Sequence, residues 1–483
     1  MFAGICIGKD RPAYLQISDH IKKLISSGAL QSNQKLPSSR ELCKLLNICR
    51  NTVIAAYEKL AEEGLVYILG NKGVFVADIH TAGMESWNIE WAKRVSNQAQ
   101  MAERLDLMKH GITAEKEMIS FTSIMPDESL FDMENVKKAF LYRMQLEGEK
   151  ILNYGYAKGY RPLSQYLLRY MESKGASLDG KDILITNGFT EGFDITLSAL
   201  TERGSTIVCE NPTHNTAIKI MKLHGLKIAG VRMEADGLDL NELEKLSAGS
   251  DACLAYLVPS YHNPTGIVMS PEKRIKALEI LKRYGIPVVE DGFNEELRYA
   301  ASHISPLIAC SGRGNSVIYI GSFSKILFPG MRVGWILADE SLIGFMESVK
   351  RSRSIHTSTL DQAILYQYLQ DGNFEKYIKR ARKTYSEKFN LALDCSRTFI
   401  PHRKISGEGG LHIFIELEKH LNARNVLREC MNRKVAFTPG DIFFTDNTGK
   451  NTLRLGFSRV SSEDIVKGIK IIGSVIRAME VSQ

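Results

Sequence analysis

From residue 119 onward, strand-like and helix-like segments alternate along the chain, and this alternation constrains the fold more than any other feature. Short apolar, β-branched runs are each followed by a longer stretch with helical spacing. Strands separated by helices are typical of βαβ units, which build a mainly parallel sheet covered by helices. The sequence therefore predicts an α/β domain over residues 119–483.

Polar residues follow the predicted strands at the points where ligands bind in open α/β sheets. The turn Asn187-Gly188-Phe189-Thr190 joins one strand to a helix, and the free N–H groups of such a turn suit a phosphate. Each turn alone is compatible with an ordinary strand-to-helix connection, whereas several in succession indicate a shared site. The strands concerned are Asp182–Thr186, Thr206–Cys209 before His214, Ala252–Val258 before PSYHNPTG, and Ile286–Glu290 before Asp291.

A lysine, Lys325, lies just beyond a further apolar strand, Val317–Ile320. Burial lowers the pKa of a lysine amine, and a neutral amine can form a Schiff base with an aldehyde. Ser322, Ser324 and Arg332 offer hydroxyl and guanidinium groups to a phosphate. These features together indicate pyridoxal 5′-phosphate (PLP), an aldehyde cofactor that carries a phosphate. The stretch alone is equally compatible with a surface lysine in a Ser/Gly loop.

The first 77 residues have a different pattern, in which short helices precede a hairpin. Apolar residues have helical spacing from 14 to 27, and Ser38 with Glu41 forms a capping-box pattern before a second helix. A third helix, from about Arg50 to Glu63, follows a tight turn. Two strands joined by Gly70-Asn71-Lys72-Gly73 then predict a winged helix-turn-helix. Four of the seven net positive charges of the chain lie here, which favours a polyanionic partner.

The motifs LPSSREL and RNTV, the run AYEKLAEEGL and the glycine-framed wing make this segment resemble the winged helix-turn-helix of the GntR family. The resemblance implies that the partner is DNA, with Arg40 on a phosphate and the start of the third helix in the major groove. Lys72, in the wing, is expected near the minor groove. A small helical protein-interaction domain is the alternative. The residues assigned to DNA are Ser38, Arg40, Arg50, Asn51, Thr52 and Lys72.

Residues 78–118 lack a steady period and predict a linker between domains 1–77 and 119–483. No apolar run approaches the length that spans a bilayer, so no membrane partner is expected. The eight cysteines show neither paired spacing nor the spacing of metal ligands. This pattern predicts reduced thiols, a cytoplasmic protein and no metal site.

With its motifs in this order, the segment 119–483 resembles fold-type I PLP-dependent transferases of the aspartate aminotransferase superfamily, with a small C-terminal α/β subdomain beginning near Ser406. Together with the GntR-like segment, the multidomain chain resembles the MocR/GabR-type regulators. The resemblance implies that Lys325 is the catalytic lysine that carries PLP. It further assigns to the cofactor Tyr154, Gly188, Phe189, Thr190, His214, Asn263, Asp291, Ser322, Ser324 and Arg332.

The resemblance also implies a role for each side chain around the cofactor ring. Asp291 pairs with the pyridine nitrogen, Asn263 donates to the 3′ oxygen, and His214 stacks on the ring face. Tyr154 reaches the phosphate of the neighbouring subunit, which implies a homodimer with shared sites. Plainer interpretations exist for all four: a helix cap for Asp291, an Asn-Pro turn for Asn263, a loop histidine for His214 and core packing for Tyr154.

Two further residues bear on what the site does. Arg454 matches the family arginine that binds a substrate α-carboxylate bidentately; the alternative is a solvent-facing strand residue. Relatives usually carry a tyrosine where this chain has Phe293. Phenylalanine cannot donate a hydrogen bond to the 3′ oxygen, which favours binding and sensing over fast turnover.

The leading hypothesis is a PLP-dependent transcriptional regulator that senses an amino-compound effector, or PLP itself. The alternative is an active aminotransferase with an added DNA-binding domain. A third hypothesis is an interaction scaffold with a vestigial site. The joint presence of Lys325, Asp291, Asn263, Arg332 and Arg454 disfavours that third hypothesis.

Overall fold

The computed structural model describes residues 2, 5, 7–8, 10–78, 89–106, 118–249, 251–292, 294–299 and 304–481. The chain divides into two compact units, Met1–Val95 and Ser96–Gln483. Much of the predicted linker, 79–88 and 107–117, lies outside the described residues. The predicted domain limits stay predictions.

The first unit contains the predicted helix-turn-helix and hairpin. Its core is formed by apolar side chains of three helices, among them Ile21, Leu42 and Val53, which are fully buried. The two strands pair antiparallel, with Val66 opposite Val76. The elements are α1 (Ala13–Ser26), α2 (Ser39–Leu46), α3 (Arg50–Glu62), β1 (Val66–Leu69), a 3₁₀ turn (Gly70–Lys72), β2 (Gly73–Val76) and α4 (Trp91–Arg94).

Local sequence signals explain where these helices begin and end. The predicted capping box at α2 is present: the Ser38 hydroxyl accepts from the Glu41 N–H at 3.2 Å, and the Glu41 carboxylate accepts from the Ser38 N–H at 2.7 Å. These bonds satisfy N–H groups that a helix start leaves unpaired. Asn47 ends α2 in the left-handed conformation, with φ 51°, and so forms the predicted tight turn before α3.

The second unit is an α/β domain around an eight-stranded sheet with the order β4-β11-β10-β9-β8-β5-β6-β7. Neighbouring strands from β10 to β6 run parallel, which confirms the predicted sheet interior. The sequence did not indicate β11, which runs antiparallel between β10 and β4. The strands are β4 (Lys181–Thr186), β5 (Thr206–Asn211), β6 (Lys227–Glu234), β7 (Gly237–Leu238), β8 (Ala252–Leu257), β9 (Val288–Asp291), β10 (Val317–Ser322) and β11 (Gly334–Asp339).

Helices surround the central sheet, and its strands are accordingly apolar on both faces. Those within the described residues of this region are α5 (Asn97–Arg104), α6 (Met133–Glu147), α7 (Glu149–Leu152), α8 (Arg161–Ser173), α9 (Gly188–Leu200), α10 (Asn215–Leu223), α11 (Leu240–Gly249), α12 (Pro271–Arg283), α13 (Leu307–Cys310), α14 (Glu340–Ser354) and α15 (Thr359–Gln370). Single 3₁₀ turns are Glu128–Leu130, Phe323–Lys325 and Pro329–Met331.

The predicted C-terminal subdomain contains an antiparallel sheet with the order β12-β13-β16-β15. A short strand, β3 (Ile119–Ser120), pairs parallel with β14 (Val435–Ala436) in a separate two-stranded sheet. The remaining elements are α16 (Asn373–Phe399), β12 (Lys404–Ser406), β13 (His412–Glu416), α17 (Ala423–Asn432), β15 (Thr438–Pro439), a 3₁₀ turn (Gly440–Phe443), β16 (Thr452–Gly456) and α18 (Ser462–Val481). Among all described helices, none has the length and apolar character that crossing a bilayer requires.

Candidate functional site

Lys325 ends a 3₁₀ turn, Phe323–Lys325, that follows β10 directly. The turn is fixed where the Ser322 hydroxyl accepts from the Ser324 N–H at 3.2 Å. Burial lowers the pKa of Lys325 to about 8, with further contributions from the charges of Arg454 and Arg332. The lowered pKa increases the neutral fraction of the amine near neutral pH, as the covalent chemistry predicted from the sequence requires.

A second buried lysine shows that a low pKa alone does not define such a site. Burial also lowers the pKa of Lys350 on α14 to about 8. Its Nζ donates to the carbonyl oxygens of Ala157 at 2.8 Å and Ile185 at 2.6 Å, and to the Thr357 hydroxyl at 3.0 Å. Lys350 is thus fully hydrogen-bonded within the fold, whereas Lys325 lies on the wall of a cavity.

The cavity collects most of the cofactor residues predicted from the sequence. Its walls come from the start of α9, from the segments that follow β5, β9 and β10, and from Arg332 before β11, whereas the segment after β8 does not line it. The lining residues are Phe189, Thr190, His214, Thr216, Asp291, Gly292, Asn294, Ser322, Ser324, Lys325 and Arg332.

Asp291, the last residue of β9, provides a buried carboxylate on this wall. The Tyr256 hydroxyl, from the neighbouring strand β8, donates to Asp291 Oδ2 at 2.7 Å. His214 Nδ1 lies 3.7 Å from the same oxygen, and the His214 and Phe189 rings are 5.4 Å apart. Asp291 is therefore held by a tyrosine that sequence reasoning missed, because Tyr256 gave only a strand signal.

The other end of the cavity combines a helix start with an arginine. Gly188 opens α9, whose first N–H groups have no partner within the helix. Arg332 Nη1 donates to the Ser324 hydroxyl at 3.2 Å, and Nη2 donates to the Asn187 carbonyl at 2.9 Å. A Cβ at Gly188 would lie 2.9 Å from Arg332 Nη2, so glycine keeps this end open. N–H groups, hydroxyls and a guanidinium together suit a phosphate.

Asn263 and Arg454 form a buried pair close to the cavity. Arg454, on β16, is 6% exposed, and its Nη1 donates to Asn263 Oδ1 at 2.8 Å. The solvent-facing alternative for Arg454 is therefore wrong. Burial lowers the pKa of Arg454 to about 9, and no carboxylate of the described residues lies within ion-pair distance of it. An uncompensated buried cation of this kind suits an incoming carboxylate.

The bond to Arg454 also fixes the orientation of the Asn263 amide. Asn263 is 1% exposed, and its Nδ2 has no hydrogen-bond partner within the described part of the chain. A buried unpaired donor costs about 1–3 kcal/mol, which a ligand acceptor can recover. The residues therefore fit PLP: Lys325 for the aldehyde, Asp291 for the ring nitrogen, Asn263 for the ring oxygen and the α9 start with Arg332 for the phosphate.

Tyr154 and Phe293, both discussed from the sequence, are not among the residues that line the cavity within the described part of the chain. Tyr154 is 80% exposed and is not among the residues that line the cavity, so the core-packing alternative is wrong. Its ring meets that of His356 edge-on at 5.9 Å. Phe293 lies outside the described residues. A polar residue that sequence reasoning missed is its neighbour Asn294, which lines the cavity.

In the first unit, the residues assigned to DNA lie around α2, the start of α3 and the wing. Ser38, Arg40, Arg50, Asn51 and Lys72 are exposed, whereas Thr52 is half-buried. Arg50 Nε donates to the Ser39 hydroxyl at 3.2 Å, which limits the freedom of the arginine at the start of α3. Exposed cations at these places suit a nucleic-acid backbone.

Replacing Arg50 by alanine is expected to weaken binding to specific DNA by about 1–3 kcal/mol, if its guanidinium pairs with a base edge. Lys72→Ala is expected to weaken binding evenly across sequences and to reduce the salt slope by about one, as for a phosphate contact. Fluorescence anisotropy with specific and unrelated duplexes at several salt concentrations measures both effects. Arg11→Ala provides a control, because Arg11 is already paired with Asp19 at 3.2 Å. Equal losses on both duplexes for Arg50→Ala would contradict base recognition.

The fold and the cavity define a two-part protein, in which a winged helix precedes an α/β transferase domain of the PLP-binding class. Residues 118–472 match the family described as Aminotransferase class I and II, and residues 13–76 match the family of bacterial regulatory proteins named gntR. The chain belongs to the class I and II aminotransferases and carries a GntR-type helix-turn-helix domain.

Some known proteins are similar to this chain over its whole length, and others are similar to its transferase domain alone. The uncharacterized HTH-type transcriptional regulator YdfD of Bacillus subtilis is 27% identical over 98% of each chain. The probable rhizopine catabolism regulatory protein MocR of Rhizobium meliloti is 24% identical over 98% of this chain and 95% of its own. The crystal structure of a multiple substrate aminotransferase from Thermococcus profundus has a TM-score of 0.77 and 28% identity, covering 82% of this chain and all of its own. The predicted MocR-type architecture is confirmed.

Proposed function

We propose that this protein is a cytoplasmic, PLP-dependent transcriptional regulator. Its winged helix binds DNA, and its transferase domain binds an amino-compound effector that changes DNA affinity. The observation that supports the proposal is that Lys325, Asp291 and the buried Asn263–Arg454 pair occur in a chain that also carries a GntR-type helix-turn-helix domain. A differential affinity of the effector for two states of the protein is what such a switch requires.

When bound, PLP supplies an electrophilic carbon that amines can attack. Lys325 offers the resident amine, and its lowered pKa lets the nitrogen give up a proton near neutral pH. Asp291, held by Tyr256, would keep a proton on the ring nitrogen. Asn263 Nδ2 would donate to the ring oxygen, and Arg454 would bind the carboxylate of an effector.

We further propose a homodimer in which Tyr154 reaches the phosphate site of the partner subunit. Tyr154 belongs to a surface with several exposed large apolar side chains, including Leu152 at 63% and Tyr156 at 82% exposure. Single exposed apolar residues are normal, but several close together along the chain are typical of an interaction surface.

An active aminotransferase with an added DNA-binding domain is the second candidate, because the lysine, carboxylate and arginine of the transferase class are all present. Measurements on one preparation of the PLP-loaded full chain distinguish the regulator from the active aminotransferase. We expect amino compounds to change the cofactor absorbance and the DNA affinity over the same concentration range, since coupling between two sites is reciprocal. Keto-acid formation is expected to be slow or absent.

Turnover and DNA binding are measured with the same amines, by product analysis and by anisotropy. Rapid multiple-turnover transamination, with DNA binding indifferent to every amine, would overturn the regulator in favour of the enzyme.

A further inference from the structure

Asn294 places a buried amide on the wall of the cavity that contains Lys325 and Asp291. Its side chain is 2% exposed, and neither Oδ1 nor Nδ2 has a hydrogen-bond partner in the part of the chain that the structure describes. Gly410 lies close to Asn294 Nδ2, since a Cβ added at Gly410 would be 3.3 Å from that nitrogen. Leaving both polar atoms of a buried amide unpaired costs free energy, which a ligand with matching groups can recover.

The backbone at Asn294 gives only part of the reason for an asparagine. Its φ of 57° is left-handed, a region that asparagine and glycine tolerate better than other residues. The Asn294 carbonyl accepts from the Leu297 N–H at 2.9 Å, so the backbone forms a turn. Glycine would meet this requirement without burying two unpaired polar atoms. The amide therefore points to a ligand.

The two unpaired atoms differ in what they need. Asn294 Nδ2 needs an acceptor, and Oδ1 needs a donor. A carboxylate would satisfy only Nδ2, an ammonium group would satisfy only Oδ1, and an aliphatic group would satisfy neither. A carboxamide carries both partners in one plane and can form two hydrogen bonds with another amide.

We infer that the effector is an amino acid whose side chain ends in a carboxamide, and that Asn294 is the residue that selects it. The inference rests on the proposed function, in which PLP held at Lys325 would receive the amine of the effector and Arg454 would bind its carboxylate. Asn294 would then form hydrogen bonds with the side-chain carboxamide of the effector. A pocket that hydrogen-bonds a ligand group rejects analogues lacking it more strongly than an apolar pocket does, because its own polar atoms stay unpaired.

The test uses the PLP-loaded full chain and follows cofactor absorbance and DNA affinity. Glutamine and asparagine are each titrated against their acid isosteres, glutamate and aspartate, and against norvaline and lysine. We expect the carboxamides to act at concentrations at least about tenfold lower than these analogues. Asn294→Gly keeps the left-handed backbone and should remove the preference. Asn447→Gly is the matched control, since Asn447 has φ 61° but is exposed and does not line the cavity.

Asn294→Asp gives a second readout, because an ionised aspartate only accepts hydrogen bonds; it should shift the preference from carboxamides towards lysine. This variant also decides the matter if Asn294→Gly fails to fold. Amino acids that bind without preference for carboxamides would overturn the inference and leave the proposed function standing. A preference that survives in both Asn294 variants, or a change in resting absorbance alone, would overturn it equally. No response of cofactor absorbance or DNA affinity to any amino compound would overturn the proposed function itself.

Discussion

Lys325→Ala is expected to lose covalent attachment of the cofactor completely. Lys325 is the lysine on the cavity wall, and burial lowers its pKa to about 8 so that its amine can react near neutral pH. Borohydride treatment of the wild-type protein with PLP should add the mass of the reduced cofactor to the peptide containing Lys325. The variant should gain no such mass. A variant that keeps a reducible, covalently bound chromophore would contradict the assignment.

Two controls sharpen this experiment. In the wild-type protein, capture of PLP should accelerate as the pH rises towards about 8, because the pKa is lowered and the neutral amine is the nucleophile. Lys350 has the same lowered pKa, but all three of its hydrogen bonds are made inside the fold. Lys350→Met should therefore leave the mass addition at Lys325 unchanged in the folded protein.

Arg454→Met is expected to weaken the response to carboxylate-bearing amines by about 100-fold, which corresponds to about 3 kcal/mol. The reason is that Arg454 is a buried guanidinium without a carboxylate partner among the described residues, and an effector carboxylate would supply one. Absorbance titration of the PLP-loaded protein measures the effect, with circular dichroism to verify folding.

A matched amine without a carboxylate separates recognition from general damage. Its affinity should be nearly the same for Arg454→Met and for the wild-type protein. Arg454→Lys should give an intermediate loss, because lysine keeps the charge but cannot reproduce the fork that also donates to Asn263. If Arg454→Met responded to amino acids as strongly as the wild-type protein, the carboxylate would be bound elsewhere.

Much of the first unit could be predicted from the sequence because its signals are local. The capping box of Ser38 and Glu41 spans three residues, and Asn47 ends its helix by its own backbone conformation. The strand ends of the second unit were predictable for the same reason. Apolar runs locate strands, and a parallel arrangement brings their ends to one edge.

The contacts that refine the site were not predictable, because they join distant parts of the chain. Tyr256 and Asp291 meet across two strands, and Asn263 meets Arg454 from another sheet. The sequence also could not distinguish Lys325 from Lys350. The two lysines differ in their surroundings, because Lys350 donates to acceptors within the fold whereas Lys325 lines the cavity. Asn294 gave no signal, because an asparagine in a loop is ordinary until its burial is known.

Arg454 lies on β16, in the interior of the small sheet, where its backbone pairs with Phe414 of β13 on one side and Thr438 of β15 on the other. β16 cannot shift alone, because such a movement would break its backbone hydrogen bonds to both β13 and β15. We therefore expect the position of Arg454 to change only together with β13 and β15.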